Sequence, residues 1–340
     1  MSKRPPFLLA ATLFLTFAAG HTQAGPKSLL EFEKRGIDRI AQFTAKERST
    51  ILFEVGGYEE HAVGYAMDGR IKWIDSSPIS SECRRHPALS HDGLKVAFMS
   101  NGRALAPEPT RPFLPIQYCR INIYDIPTAA ERELVQVLGD PGEISWSWDG
   151  TEIAFYERGI SAVSVRDGVR KVLLPMNAFD GGRMQWYPMQ WLHNQDLVIE
   201  LSKEIPVNKS GTSFVDQSSL FVVSRGALRL LAIGRSPAVS PLSDRIAYYA
   251  SGRVVEVNGR VAAINADGTG RALLARAPRA LPLFAHQFFG DIVWSPDGSR
   301  LFFGEMVSDT LSDDLHLLDV KSGRYEHFFS GTSIQITGWH

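Results

Sequence analysis

One short pattern recurs along this chain of 340 residues, and it leaves few folds open. Two apolar runs are joined by a turn carrying Asp-Gly or a close substitute. The clearest copy, Asp291 to Phe303, reads D-I-V-W-S-P-D-G-S-R-L-F-F. Such a turn needs a positive φ, which glycine supplies without steric cost, so Asp-Gly between apolar runs signals a hairpin. Other copies are His86-Pro87-Ala88-Leu89-Ser90-His91-Asp92-Gly93 and Ile144-Ser145-Trp146-Ser147-Trp148-Asp149-Gly150. Weaker ones run from Gln190 to Ile199 and from Ser236 to Tyr248. With Asp92, Asp149, Asn194, Asp244 and Asp297 as markers, the spacings are 57, 45, 50 and 53 residues. Strand-type repeats with a period near 50 mean a propeller or an array.

Each module also carries a second hairpin, turning at Asp68-Gly69, Asp167-Gly168, Asp267-Gly268 and Ser322-Gly323, with looser turns near Pro127 and Arg225. Two hairpins make four strands, the content of one propeller blade. Six second hairpins stand against five inner ones, and the first module, opening at Thr50, lacks an innermost strand. Ser333 to Trp339 reads as the missing strand, with Arg39 to Phe43 as a competing choice. The expected fold is therefore all-β: a six-bladed β-propeller of four-stranded antiparallel blades, closed by the C-terminal strand so that no sheet edge stays open.

Composition sets the remaining bounds. The chain is 44% hydrophobic and 21% charged, enough to bury a full core, and its net charge of -1 argues against a nucleic-acid surface. Lys3 and Arg4 precede the apolar run Phe7 to Ala19 and the small-x-small pattern Thr22-Gln23-Ala24. This reads as a signal peptide over residues 1–24, too short to span a membrane, and leaves no transmembrane segment after cleavage. Residues 25–44 form a short leader or amphipathic helix, and 45–340 the propeller. Export to the periplasm or medium would allow the two cysteines, Cys83 and Cys119, to pair, the alternative being two buried thiols.

The Trp-Ser-Pro-Asp-Gly stretch at 294–298, followed by Arg300 and Leu301-Phe302-Phe303, resembles the repeat of TolB-type propellers, a WD40-like family also called PD40. The resemblance covers about Thr50 to Trp339 and implies the propeller fold more strongly than any activity. TolB itself carries a sizeable α/β domain ahead of its propeller, for which residues 25–44 leave no room, so the resemblance is to the family and not to TolB.

Short turns within hairpins gather on one face of a propeller, and the connections between hairpins and between blades on the other. The long connections expected here are Ser100 to Gln117, Ser202 to Ser218, Arg276 to Gly290 and Glu305 to Asp313. Long loops on a rigid scaffold carry binding residues. Candidate binding residues lead into the innermost strands: Arg85, His86, Gln185, Trp186, Tyr187, His286, Gln287 and Asp291, joined by Trp339 and His340. The bland reading is a water-lined channel, and for Trp146, Trp191, Trp294 and Trp339, packing between blades. No His-x-x-x-His or Cys-x-x-Cys spacing marks a metal site, and no Gly-x-Ser-x-Gly a hydrolase nucleophile. Only His286-Gln287 resembles the His/Gln metal site of oligogalacturonate lyases, so no catalytic residue, metal or cofactor is assigned. The expected function is a monomeric, exported, non-enzymatic module that presents its loop-rich face to a protein or peptide in the cell envelope. The alternative is a lyase or hydrolase acting on a sugar or lactone at the channel mouth.

Overall fold

The computed structural model describes residues 33–56, 61–75, 86–104, 117–138, 142–157, 159–178, 188–206, 214–250, 260–276, 292–307, 312–331 and 334–340. The expected signal peptide lies outside them. The first module holds β1 (Thr50–Gly56), β2 (His61–Met67) and β3 (Arg70–Asp75), and the second β4 (Ala88–Leu89), β5 (Lys95–Ala104), β6 (Gln117–Asp125) and β7 (Ala130–Leu138). The third holds β8 (Ser145–Trp146), β9 (Glu152–Tyr156), β10 (Gly159–Ser164) and β11 (Arg170–Pro175). The fourth and fifth share β15 (Ala227–Val239), between β12 (Met189–Trp191), β13 (Leu197–Pro206), β14 (Phe214–Ser224) and β16 (Arg245–Ala250), β17 (Arg260–Asn265), β18 (Ala272–Arg276). The sixth holds β19 (Val293–Trp294), β20 (Arg300–Val307), β21 (Ser312–Asp319) and β22 (Tyr325–Gly331), and β23 (Ile334–Trp339) ends the chain.

All pairings are antiparallel, in four sheets of four strands and one of seven, arranged as in a propeller. In the seven-stranded sheet, residues 227–233 of β15 pair with β14, and 234–239 pair with β16 after a break in register around Ser236, whose φ is +50°. Its two halves thus act as outer strand of the fourth module and inner strand of the fifth. β23 pairs with β1, Ile51 opposite Trp339, giving the sheet order β23-β1-β2-β3. Residues 39–43 are helical rather than the first module's inner strand.

The core is divided among the seams between modules. Ala97, Met99 and Ile121 of the second module pack with Trp146, Ile153 and Phe155 of the third. Separate clusters fill the next three seams. Leu52 and Tyr65 meet Val96, Phe98 and Tyr124 between the first and second modules, and Phe302 and Leu317 of the sixth meet Ile51 and Phe53 of the first. Trp146 and Trp294 are buried, and their indole N–H groups donate to the carbonyls of Ala88 and Ala238 in the preceding module, at 3.0 and 2.9 Å.

The inner turns are wider than a two-residue hairpin loop. Ser295 Oγ donates to Asp297 Oδ1 (2.6 Å) and accepts from Arg300 N–H (2.9 Å), while Ser299 N–H donates to the same carboxylate. Gly298 alone takes positive φ, at +63°. The same bonds recur at Ser147-Asp149 and Ser90-Asp92. In the fifth module the Asp position is Leu242, so Asp244 sits two residues beyond it.

Every outer strand slips by one residue against its neighbour at the same place. The inserted residues are Ile74, Leu134, Leu173, Leu231, Leu274 and Phe328, all large and apolar. Each bulge raises the local twist and turns one more side chain under the sheet. A helix, α1 (Lys34–Glu47), covers the seam between the sixth and first modules. Ile37 and Ile40 enter that core, Phe43 meets the rings of Phe302, Phe328 and Trp339 edge-on, and Arg300 pairs with Glu47 at 2.7 Å while lying over Phe43 and Trp339. Gly36 is needed for the approach, since a Cβ there would lie 2.5 Å from Ile334.

Candidate functional site

The end of the molecule carrying the connections between second and third strands is built unevenly. From the residue paired with the inner strand, the β13–β14 ladder continues from Leu197 to Pro206, and the β5–β6 ladder from Val96 to Ala104. The β20–β21 ladder runs from Leu301 to Val307. In the third module the corresponding ladder ends at Tyr156 and in the first at Gly56, and in the fifth its described part runs to Tyr249. Among the described residues, long two-stranded arms therefore rise from the second and fourth modules, while the sixth module's ladder is one residue longer than the first's. Of three stretches expected as loops, Ser100 to Gln117, Ser202 to Ser218 and Glu305 to Asp313, the described ends are strand: 100–104 and 117, 202–206 and 214–218, and 305–307 and 312–313. Inter-strand bonding carries past the core, so polar residues such as Ser202 and Lys203 continue as strand.

At the base of the arms one position recurs, three residues after the one paired with the inner strand: Glu54, Met99, Tyr156, Glu200, Tyr249 and Gly304. Two of these visibly reach into the next module. Tyr249 OH donates to Gly304 O at 3.0 Å and accepts from Gly304 N–H at 2.9 Å. Glu200, 3% exposed, accepts the N–H of Ser236 on Oε2 at 2.8 Å. Burial raises the Glu200 pKa, opposed by hydrogen bonds from Ser218 and Ser236 and by the charge of Arg235. Gln190 Oε1 accepts from Val239 N–H at 2.7 Å, a second tie across this seam.

Of the expected binding residues, His86 is described. It is half-buried with φ +36°, just before Pro87 and β4, as Ser236 precedes Pro237 and the inner half of β15. Arg85, Gln185, Trp186, Tyr187, His286, Gln287 and Asp291 lie outside the described residues. Cys119 is buried and disulfide-bonded, and the sequence holds one other cysteine, Cys83, also outside them. Trp339 is buried in the seam under α1, and His340 lies at the opposite, short-turn end, where a Cβ on Gly93 would meet its Nδ1 at 2.4 Å. β23 runs from the mouth towards the short turns, so its last residues cannot line the mouth.

The short-turn end carries a group that sequence reasoning missed. His91, Trp148 and His193 stack in that order, with ring centroids 3.6 and 3.7 Å apart and planes within 16°. Trp148 N–H donates to Trp191 O at 2.7 Å, and His91 and His193 bond the carbonyls of Trp146 and Ser240. Protein packed around His91 pushes its pKa down to about 4. The available signal was positional, since all three occupy the second position of the inner turn in successive modules. Among the described residues no group of three His, Cys, Asp or Glu side chains could hold a metal ion, and no helix is long and apolar enough to cross a membrane.

Solved propellers share this arrangement. TolB from Acinetobacter baumannii superposes with a TM-score of 0.57 at 15% identity, over 86% of this chain and 66% of that one, so the chain matches just under two thirds of that protein. A putative TolB from Agrobacterium tumefaciens gives 0.51 at 14% identity, covering 86% and 92%. The periplasmic gluconolactonase PpgL of Pseudomonas aeruginosa gives 0.47 at 13%. The fold is thus a TolB-like propeller, and at such identities the likeness speaks for the fold alone. No protein-family model and no curated protein matches the sequence.

Proposed function

We propose that the chain is an exported, non-enzymatic binding module: a closed six-bladed propeller whose armed mouth receives a protein or peptide segment in the cell envelope. The observation that carries this reading is the pair of long β-arms on the second and fourth modules. They border the mouth with long ladders whose rims offer backbone and polar groups, while recurrent turns fasten the opposite end. Extended rims on a rigid ring suit a chain segment entering between them. Six repeated outer-strand bulges and the β23–β1 pairing support the blade count and closure. The apolar run before residue 25 supports export, and the bonded state of Cys119 supports its pairing with Cys83.

The test is capture from periplasmic extract by the full chain and by a variant in which residues 205–215 are replaced by a two-residue turn. A partner retained by the first and lost by the second, at equal melting temperature, is the expected result. Equal capture by both would remove the arms from the function. Metal analysis separates this reading from a metal-dependent enzyme at the mouth: a stoichiometric transition metal lost on His286→Ala would favour the enzyme.

A further inference from the structure

At the foot of the fourth module's arm the seam towards the fifth module turns polar. Along β13 and β14 the side chains facing that seam are Val198 and Leu220, then Glu200, then the directly opposed pair Ser202 and Ser218. Ser202 and Ser218 are 4% and 5% exposed, and Ser236 closes the slot from the fifth module. Ser202 Oγ is buried with no hydrogen-bond partner among the described residues, although its strand alternation aims it into the same slot as Glu200. A buried hydroxyl left without a partner is costly, and natural folds rarely keep one without use. The matching position elsewhere is Glu54, Met99, Tyr156, Tyr249 or Gly304, and Glu54 is followed two residues on by Gly56 rather than a serine, so the combination of Glu200 with Ser202 is not a requirement of the repeat.

We propose that Glu200, Ser202 and Ser218 form a subsite for a carboxamide, as carried by Asn or Gln of a bound peptide. This rests on the reading of the mouth as a peptide-binding face. A carboxamide offers N–H donors to the carboxyl of Glu200 and an oxygen to the Ser202 hydroxyl. A carboxylate would lose its hydration in the buried slot with no N–H to offer Glu200, and an ammonium group would be stripped of water beside Arg235. A lone hydroxyl would have to reach both Glu200 and Ser202 through one oxygen, whereas a carboxamide meets them with separate atoms. Burial holds Glu200 towards its neutral form and thereby makes room for an uncharged guest.

The experiment is an amide-resolved NMR titration of the full chain with acetamide, with acetate and methanol as probes of similar size. Acetamide should give saturable shifts at Ser202, Ser218 and Ser236, and acetate and methanol should not. Ser202→Ala should weaken half-saturation about tenfold, the loss of one ordinary hydrogen bond, while its melting temperature stays level or rises. Equal binding of acetate or methanol, no saturable shift in folded protein, or a lowered melting temperature of the variant would each overturn the proposal. The probes act without any partner, so a protein that binds acetamide yet captures no peptide would refute the function reading and leave the subsite standing.

Discussion

At the residue scale, the serine and aspartate of each inner turn do more than mark a hairpin. The Ser147 hydroxyl lowers the pKa of Asp149 and fastens the Glu152 N–H, so one side chain closes the turn from both sides. Ser147→Ala should cost about 1–2 kcal/mol in urea unfolding, because it takes the acceptor from the Glu152 N–H and one of the hydrogen bonds from Asp149. In the fourth module Leu192 and Gln195 stand where Ser147 and Gly150 stand in the third, and Gln195 has φ +69°. Gln195→Gly should therefore stabilise by about 0.5–1 kcal/mol, the relief of a left-handed non-glycine residue. Glu200 sets a pH dependence. Its folded pKa is raised by burial, so its contribution to stability is complete below the ordinary carboxylate value of about 4.3 and declines as pH rises above it. Melting temperatures from about pH 5 to 8 should fall less steeply in Glu200→Gln than in the wild type. Sequence displays the turn residues openly, because each sits at a fixed offset from Gly. It hides the role of Glu200, which depends on a partner 36 residues away in the next module.

Elements show where local pattern gives out. The outer-strand bulges escape notice because each inserted residue, such as Leu173 in Val172-Leu173-Leu174, is one apolar residue within an apolar run, and a single slip does not interrupt such a run. The arms escape for the opposite reason: Ser202-Lys203-Glu204 lacks apolar alternation and looks like loop, yet the ladder continues through it. The leader was legible as an amphipathic segment. What it covers was not, since its apolar face finds the joint between first and last modules only once the chain has come round. Phe43→Ala should cost about 3 kcal/mol by opening that joint beneath Arg300, and Glu47→Gln no more than about 1 kcal/mol, the usual worth of a solvent-accessible ion pair. Thermal or urea unfolding of the two variants side by side measures the contrast.

For the whole molecule, the pairing of β23 with β1 makes the last residues part of the first module. Removing residues 332–340 should leave β1 bare, empty Ile334, Ile336 and Trp339 from the seam under α1, and replace one cooperative melt by early unfolding of the first module. An unchanged melting profile would show that the first module does not depend on this strand.

The outer slips bear on how copies of this chain meet each other. Val172, Leu230 and Leu273 stand at the same bulge position of successive outer strands and are 67, 58 and 49% exposed, an apolar composition suited to seeding fibres if those edges were straight. A second copy approaching such an edge could extend its ladder only as far as the slip, where the register changes by one residue and the facing side chains reverse. Templated growth is stopped within a few residues on every blade rim. The sequence is thereby free to keep apolar residues on its outside, where surface charge would otherwise be needed to hold neighbouring molecules apart.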